Sequence, residues 1–162
     1  MISKTTPKRS KAEFKEICIH DWPELLGRLR EFPKDEEWVF RGQTSDWPLT
    51  TALERACDDS DVDLEDAPNV ESQMIRSFQR SYSGNDLDAV LNDKLYCMAL
   101  MQHHGAPTRL LDFTYSPYIA AHNALEKKPD KNFGVNVIWC LSGKWCKEKV
   151  EAKVGSNLQT VA

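Results

Sequence analysis

Between residues 102 and 117, large apolar residues are interleaved with ionisable ones. The apolar residues favour burial, whereas Arg109 and Asp112 lie directly among them. An ionised side chain is expensive to bury unless it is paired and hydrogen-bonded. The stretch 108–113 therefore predicts a buried strand whose charged groups serve a site as well as the packing.

A second polar group interrupts an apolar segment far upstream. Arg41 ends that segment, and Gly42 follows it. An arginine fork can hold a carboxylate or a phosphate through two parallel hydrogen bonds, and a glycine admits the close approach of a ligand or of other backbone. The partner of Arg41 stays open between a bound anion and an internal carboxylate, for which Asp112, Glu54 and Glu71 are the candidates.

The two polar segments together suggest one site that assembles when the chain folds. Arg109 and Asp112 are three residues apart in a predicted strand, so their side chains face opposite sides and need separate partners. His103 and His104 close a predicted helix, where a histidine acts either as a cap or as a general acid or base. The candidate catalytic residues are Arg41, His103, Arg109, Asp112 and Thr114.

A predicted strand-to-helix junction adds to this site. Thr114 and Ser116 stand at the junction, where hydroxyls and backbone amides favour an anion. Ser116 is equally a helix N-cap, and the two roles are compatible. The candidate ligand-binding residues are Gly42, Gln43, Gln102, His104 and Ser116.

Composition narrows the range of partners. The 162 residues carry a net charge of −4, which disfavours broad nucleic-acid binding because that needs a dense cationic surface. The basic segment 1–11 is predicted to be a flexible tail, with docking to nucleic acid or to a partner as its alternative role. No apolar run approaches the length of about 20 residues that spans a membrane, so no membrane contact is predicted. The five scattered cysteines predict reduced thiols and a cytoplasmic protein.

No metal site is predicted. His20, His122 and the cysteines lack the spacing of known metal ligands. The acidic segment 58–66 imitates the start of a calcium loop, but Leu64 and Val70 stand where such a loop needs glycine and glutamate. That segment is predicted to be a mobile loop without calcium.

The pattern of apolar residues and caps predicts an α+β fold with a small central sheet of about 3–5 strands and several surrounding helices. The predicted helices are 22–32, 51–55, 68–82, 87–103, 117–126 and 145–154. Their predicted N-caps include Asp21, Thr50 or Thr51, and Ser116, and Gly105 is the predicted C-terminal cap of 87–103. The predicted strands are 16–20, 37–41, 108–113 and 136–141. Beyond the tail at 1–11, residues 12–162 are predicted to form a single domain, and its completeness at the C-terminus stays open.

These motifs resemble those of the FRG domain family, which is named for a tripeptide that reads Phe40-Arg41-Gly42 in this chain. Gln43, the segment 49–55 and the block 102–117 follow it in the family's order, and several ordered motifs are far more specific than one tripeptide. The resemblance extends over roughly residues 17–141. It implies a bacterial or phage protein, in some cases from defence-associated genes, whose biochemical activity is poorly established.

The order of elements is also similar to that of ADP-ribosyltransferases, which suggests an ADP-ribosyltransferase-like fold. The analogy implies NAD as cofactor, with Arg41 holding it, Thr114 supporting the site and an alanine-rich helix following. Those enzymes also need a catalytic glutamate on a later strand. The late acids Glu148 and Glu151 fall in a predicted helix, so either the required residue lies outside these 162 residues or the analogy fails.

The leading functional prediction is an FRG-type domain whose polar pocket binds a phosphate-bearing small molecule or a nucleotide, in a phage-defence or toxin context. Enzymatic modification of that ligand, as by an NAD-dependent transferase, stays open. One alternative is a noncatalytic protein-interaction module with an unidentified partner. The other is nucleic-acid binding or processing through the basic tail, which would depend strongly on salt.

Overall fold

The computed structural model of the chain describes residues 15–33, 37–131 and 134–154, with side chains up to residue 151. The chain divides into two compact units, residues 1–34 and 35–162. The predicted basic tail, residues 1–11, lies outside the described residues. The polar site predicted from the sequence falls entirely in the second unit.

The first unit contains one helix, α1 (Trp22–Arg30), among its described residues. The Asp21 carboxylate caps this helix by accepting a hydrogen bond from the Glu24 amide at 2.8 Å. The sequence prediction of this helix and its cap is confirmed. The predicted strand over 16–20 is wrong, because these residues are exposed and form no ladder with any described residue. The amide of His20 instead donates to the Glu24 carboxylate at 3.1 Å.

The second unit is built on a two-stranded antiparallel sheet. Strand β1 (Trp38–Gln43) pairs with β2 (Val137–Ser142), with Phe40 opposite Cys140. On the other edge of β1, Phe40 forms a single bridge with Thr114, in which both amide-to-carbonyl bonds are made, at 2.7 and 2.8 Å. The α+β class is confirmed.

The predicted sheet of 3–5 strands is too large, since the described residues form two strands and one bridge. The predicted buried strand 108–113 is wrong: the segment bends at Arg109 and forms no ladder, and within it only Thr108 is buried. Two of its carbonyl groups are used elsewhere. The Thr108 carbonyl accepts a hydrogen bond from the Leu53 amide at 3.0 Å, and the Asp112 carbonyl accepts one from the Arg41 side chain at 2.9 Å. Thr114, directly after the segment, forms the bridge to β1.

The described residues of the second unit form six α-helices. They are α2 (Ala52–Asp59), α3 (Ala67–Ser81), α4 (Leu87–Asn92), α5 (Lys94–His103), α6 (Pro117–Leu125) and α7 (Gly143–Val154). The single helix predicted over 87–103 is two helices. Asp93 has an extended backbone, with φ −114° and ψ 105°, and its carboxylate caps α5 by accepting from the Tyr96 amide at 3.0 Å. None of the helices in the described ranges is long and apolar enough to cross a membrane.

The acidic segment 58–66 contains more regular structure than the predicted loop. Its first two residues end α2, and Leu64–Asp66 form a single 3-10 turn that Asp63 caps. Between these turns, Asp61 has a left-handed backbone, with φ 53°. The described residues contain no cluster of three or more metal-ligating side chains. The mobility of this segment and its indifference to calcium remain predictions.

Apolar packing holds the second unit together in two places. One cluster joins α3, α4 and α5 and consists of Ile75, Val90, Cys97, Met98 and Met101. The other lies where α6 packs on β1, and its buried alanines are Ala120, Ala121 and Ala124. A Cβ on Gly42 would lie 2.0 Å from the Ala120 carbonyl oxygen and 2.6 Å from the Ala124 amide nitrogen. Gly42 therefore sets the distance between strand and helix.

Candidate functional site

Each residue of the tripeptide 40–42 has a different structural task. Phe40 is buried, exchanges both of its backbone hydrogen bonds with Thr114, and lies opposite Cys140 of β2. Gly42 admits α6 against the strand. Arg41, between them, points toward the segment 108–113 and binds it. The tripeptide is thus the point at which the sheet, α6 and the second polar segment meet.

Arg41 and Asp112 come together, but not as the salt bridge that buried opposite charges suggested. Arg41 Nη1 donates to the main-chain carbonyl of Asp112 at 2.9 Å, and the two side chains form no ion pair. The Asp112 carboxylate is exposed and accepts a hydrogen bond from Gln102 Nε2 at 2.7 Å. Because water solvates this carboxylate, it has no need of the guanidinium as a buried charge would.

A short chain of hydrogen bonds fixes the orientation of the Asp112 carboxylate. Thr108 is 1 % exposed, and its hydroxyl donates to Gln102 Oε1. That bond assigns the orientation of the Gln102 amide, whose nitrogen then faces Asp112. The Thr108 hydroxyl also accepts a hydrogen bond from the Leu110 amide at 3.3 Å. A buried threonine thereby holds an exposed carboxylate in one position next to Arg41.

The guanidinium of Arg41 is only partly satisfied. Its Nη1 binds the Asp112 carbonyl, whereas its Nε is buried and has no hydrogen-bond partner among the described residues. A buried donor without an acceptor costs about 1–3 kcal/mol, and more for a charged group. Each such group in a native protein calls for an explanation, of which a bound anion is one.

Arg109 lies outside the network that Arg41 and Asp112 share. Its Nε donates to the carboxylate of Glu71, a residue of α3 that is 2 % exposed. Lys94 Nζ lies 3.1 Å from the other oxygen of the same carboxylate. Burial raises the pKa of Glu71, but the hydrogen bonds and charges of Arg109 and Lys94 outweigh it, so the pKa ends below its usual value. Arg109 thus serves as a structural counter-ion.

Sequence reasoning considered Glu71 only as a partner for Arg41 and missed its pairing with Arg109. A signal was present, because Glu71, Ile75 and Phe78 follow one another at helical spacing. That spacing places an acid on the apolar face of α3, where it requires a cationic partner.

The two histidines stand at the C-terminus of α5. Gly105, with φ 84°, ends the helix, and its amide donates to the Gln102 carbonyl at 2.9 Å, while the Ala106 amide donates to the Met101 carbonyl at 2.9 Å. Both imidazoles are exposed. The His103 ring lies 5.5 Å from that of His104. Among the described residues, no hydrogen bond joins either imidazole to Arg41 or Asp112, so the structure leaves the histidines outside the network.

The junction before α6 is organised as a helix cap. Ser116 Oγ accepts from the Ile119 amide at 3.4 Å, and Thr114 Oγ1 accepts from the Ser116 amide at 3.1 Å. These two amides are therefore already satisfied. Gln43, also predicted to bind ligand, is buried and donates to the Trp47 carbonyl at 3.0 Å.

Two polar residues that sequence reasoning overlooked tie the end of β1 to the end of α6. Asn136 Nδ2 donates to the carbonyls of Thr44 at 3.1 Å and Ala124 at 2.7 Å. Ser45 is fully buried, and its hydroxyl accepts from the Asp130 amide at 2.6 Å. Asn136 begins the predicted strand 136–141, but the sequence pattern does not indicate the contacts that either side chain makes.

The comparison with protein families gives one match. The model of the FRG domain family matches residues 36–132, from the start of β1 to beyond the end of α6. This is more than half of the chain, and it contains the whole Arg41–Asp112 network, so the chain belongs to the FRG domain family. No curated protein and no solved structure matches it.

Proposed function

We propose that this FRG domain binds the anionic group of a small molecule, such as the phosphate of a nucleotide, at Arg41. The observation that carries the proposal is the buried Nε of Arg41, which lacks an acceptor among the described residues. The Asp112 carbonyl occupies Nη1, so the guanidinium is held in place while its Nε remains to be satisfied. Nε and Nη2 form the edge of the guanidinium that a phosphate or a carboxylate binds in parallel.

Asp112 supplies the second recognition element. Gln102 binds one carboxylate oxygen of Asp112, and the side chain is exposed. An oriented carboxylate accepts hydrogen bonds and repels a second anion, so it suits a hydroxyl such as that of a sugar. A ligand with a phosphate and a hydroxylated sugar satisfies both Arg41 and Asp112. The junction at Thr114 to Ser116 contributes less than its sequence suggests, because two of its amides are already satisfied within the cap.

Transfer chemistry on NAD, as in ADP-ribosyltransferases, has weaker support than binding. That chemistry requires a carboxylate on a strand beyond the motifs, whereas Glu148 and Glu151 both belong to α7. The two-stranded sheet does not favour an ADP-ribosyltransferase-like fold either. NAD therefore enters the proposal as one of the nucleotides to be tested.

A protein-interaction module is the second candidate, and exposed apolar side chains beside the cap favour it. Tyr115 is 81 % exposed, and Tyr118 and Ile119 on the first turn of α6 are each about half exposed. Three neighbouring apolar side chains in solvent are typical of a contact surface. If the protein is an interaction module, the Arg41 network has a structural role only and stabilises the fold that presents these side chains.

Calorimetry with ATP, NAD and ADP-ribose distinguishes the two candidates. Arg41→Lys keeps the charge but loses the fork, so binding should weaken by about tenfold or more. Arg55→Lys is the matched control, because Arg55 also donates through Nη1 to a main-chain carbonyl, that of Thr50, at 2.7 Å. Arg55→Lys should bind as the wild type does. Equal affinity in the wild type and Arg41→Lys would show that Arg41 does not bind the anion. If none of the three nucleotides gives a binding signal, the interaction module becomes the favoured function.

A further inference from the structure

An aromatic cleft lies between the end of α3 and the end of α5. Its volume is about 270 Å³, just below the range of about 300–1,000 Å³ for small-molecule pockets. The lining residues are Phe78, Ser81, Tyr82, Ser83, Gly84 and His104. Neither lysine nor arginine is among them, so the described lining carries no permanent positive charge. A cleft of this size and composition admits a small group with an apolar surface.

Three aromatic rings follow one another in this cleft. The Phe78 ring centroid lies 5.4 Å from that of Tyr82, with 31° between the planes, and 6.1 Å from that of His104, with 39° between the planes. Aromatic faces are electron-rich and attract cations. Ser81 and Ser83 complete the lining of the cleft.

The Tyr82 ring is held in place before any ligand arrives. Its hydroxyl donates to one oxygen of the Asp86 carboxylate, and the Tyr96 hydroxyl donates to the other. Gly84 packs against the same ring, since a Cβ there would lie 2.1 Å from the Tyr82 hydroxyl oxygen. A wall fixed on several sides does not lose conformational freedom when a ligand binds, and this favours affinity.

The charge of Asp86 gives the cleft its sign. The hydrogen bonds from Tyr82 and Tyr96 lower the pKa of Asp86, so the carboxylate stays ionised at neutral pH. The bond to Asp86 raises the pKa of Tyr82 to about 12, so the phenol keeps its proton and continues to donate. A phenol that donates to an anion has a more electron-rich ring, and the Asp86 carboxylate lies next to the cleft, at the Tyr82 hydroxyl. Both effects attract a cation and disfavour an anion.

We propose that this cleft binds a small organic cation of the quaternary ammonium type, through the faces of Phe78 and Tyr82 and the charge of Asp86. Such a cation is weakly hydrated and presents apolar methyl groups, so it matches aromatic walls better than a metal ion does. The site is separate from the Arg41 network and has the opposite charge preference. The tests of this cation site are therefore independent of the tests of the proposed anion site.

The direct test compares choline with dimethylbutanol, the neutral alcohol in which a carbon atom replaces the nitrogen of choline. Both are titrated into the whole chain, into the tens of millimolar, while amide resonances of residues 81–84 are followed by NMR. Choline should give saturable shifts, and dimethylbutanol should bind about two- to fivefold more weakly because it lacks the cation–π attraction. Equal binding of the two, or no saturable shift with choline, would overturn the proposal.

Two variants locate the binding. Tyr82→Leu removes the ring and should abolish the choline shifts, while Asp86→Asn keeps the shape, removes the charge and should weaken binding severalfold. Tyr118→Leu is the control, because Tyr118 is an exposed tyrosine on α6 outside the cleft, and its affinity should equal that of the wild type. Melting curves confirm that each variant is folded. Wild-type affinity in Tyr82→Leu would overturn the assignment to this cleft.

Discussion

Gly42 and Ala120 approach so closely that a Cβ on the glycine would lie 2.0 Å from the alanine carbonyl oxygen. The obstacle is helix backbone, which cannot rotate away as a flexible side chain could. The glycine of the tripeptide is therefore required by the packing of α6 on β1, and this requirement is independent of any ligand.

Gly42→Ala should accordingly destabilise the protein by about 3 kcal/mol or more, because strand and helix must separate to accommodate the methyl group. Urea unfolding at neutral pH measures the change. Asn123→Ala, at an exposed position on α6, is the control and should shift stability by no more than about 0.5 kcal/mol. A Gly42→Ala variant as stable as the control would show that α6 can move outward at little cost.

The buried carboxylate of Glu71 leads to a prediction about acid stability. Its pKa is lowered overall, so its ion pairs stabilise the fold fully above the pKa of an unfolded glutamate, and this contribution is lost as pH falls through the folded pKa. Glu71→Gln should destabilise the protein by about 2 kcal/mol near neutral pH. The loss stays below that of a fully buried pair because Arg109 is 48 % exposed and Lys94 is 61 % exposed.

Urea unfolding at about pH 7 and about pH 3 checks this prediction. The difference between wild type and Glu71→Gln should shrink at the lower pH, where the wild-type carboxyl also becomes protonated. Glu65→Gln, at an exposed position in the acidic segment, should show a small difference at both values. A Glu71→Gln effect that stays constant with pH would mean that shape, and not charge, accounts for it.

Helix ends were the most predictable part of this fold. The caps at Asp21, Thr51 and Ser116 and the terminating Gly105 all act locally, through hydrogen bonds to residues at most five positions away. Asp93 acts in the same local way, yet its capping role was missed because the apolar spacing on either side continues across it. When the apolar spacing continues across a capping residue, the sequence gives no sign of the helix end. Only the extended backbone of Asp93 in the structure reveals it.

The contacts of the site were less predictable, because a residue can form a hydrogen bond through either its side chain or its main chain. The sequence brings Arg41 toward Asp112, but it cannot tell a carboxylate from a main-chain carbonyl as the acceptor. Likewise, the stretch 108–113 has the apolar character of a strand, whereas its carbonyls bind Leu53 and Arg41. Such choices follow from tertiary packing, which local patterns do not encode.

Gln102 should contribute to the stability of the fold, because its side-chain amide makes two hydrogen bonds. Gln102→Met, similar in size, removes the acceptor of the buried Thr108 hydroxyl and the donor to Asp112. We expect a loss of about 1–3 kcal/mol, mainly from the stranded hydroxyl. Thermal or urea unfolding measures it, with Gln73→Met at an exposed position on α3 as the control. Wild-type stability in Gln102→Met would mean that Thr108 finds another partner.

The strongest test of the Arg41–Asp112 relationship is a double-mutant cycle. Arg41 binds the main-chain carbonyl of Asp112, which Asp112→Asn leaves unchanged. The stability effects of Arg41→Lys and Asp112→Asn should therefore add, with a coupling energy below about 0.5 kcal/mol. Urea unfolding of the wild type, both single variants and the double variant gives this energy.

The cycle of Arg109→Lys with Glu71→Gln is the positive control and should couple by about 1–3 kcal/mol, because those side chains bind each other directly. If the Arg41 cycle couples as strongly as the control, the two side chains pair in solution, and the guanidinium edge that the anion proposal requires is already occupied.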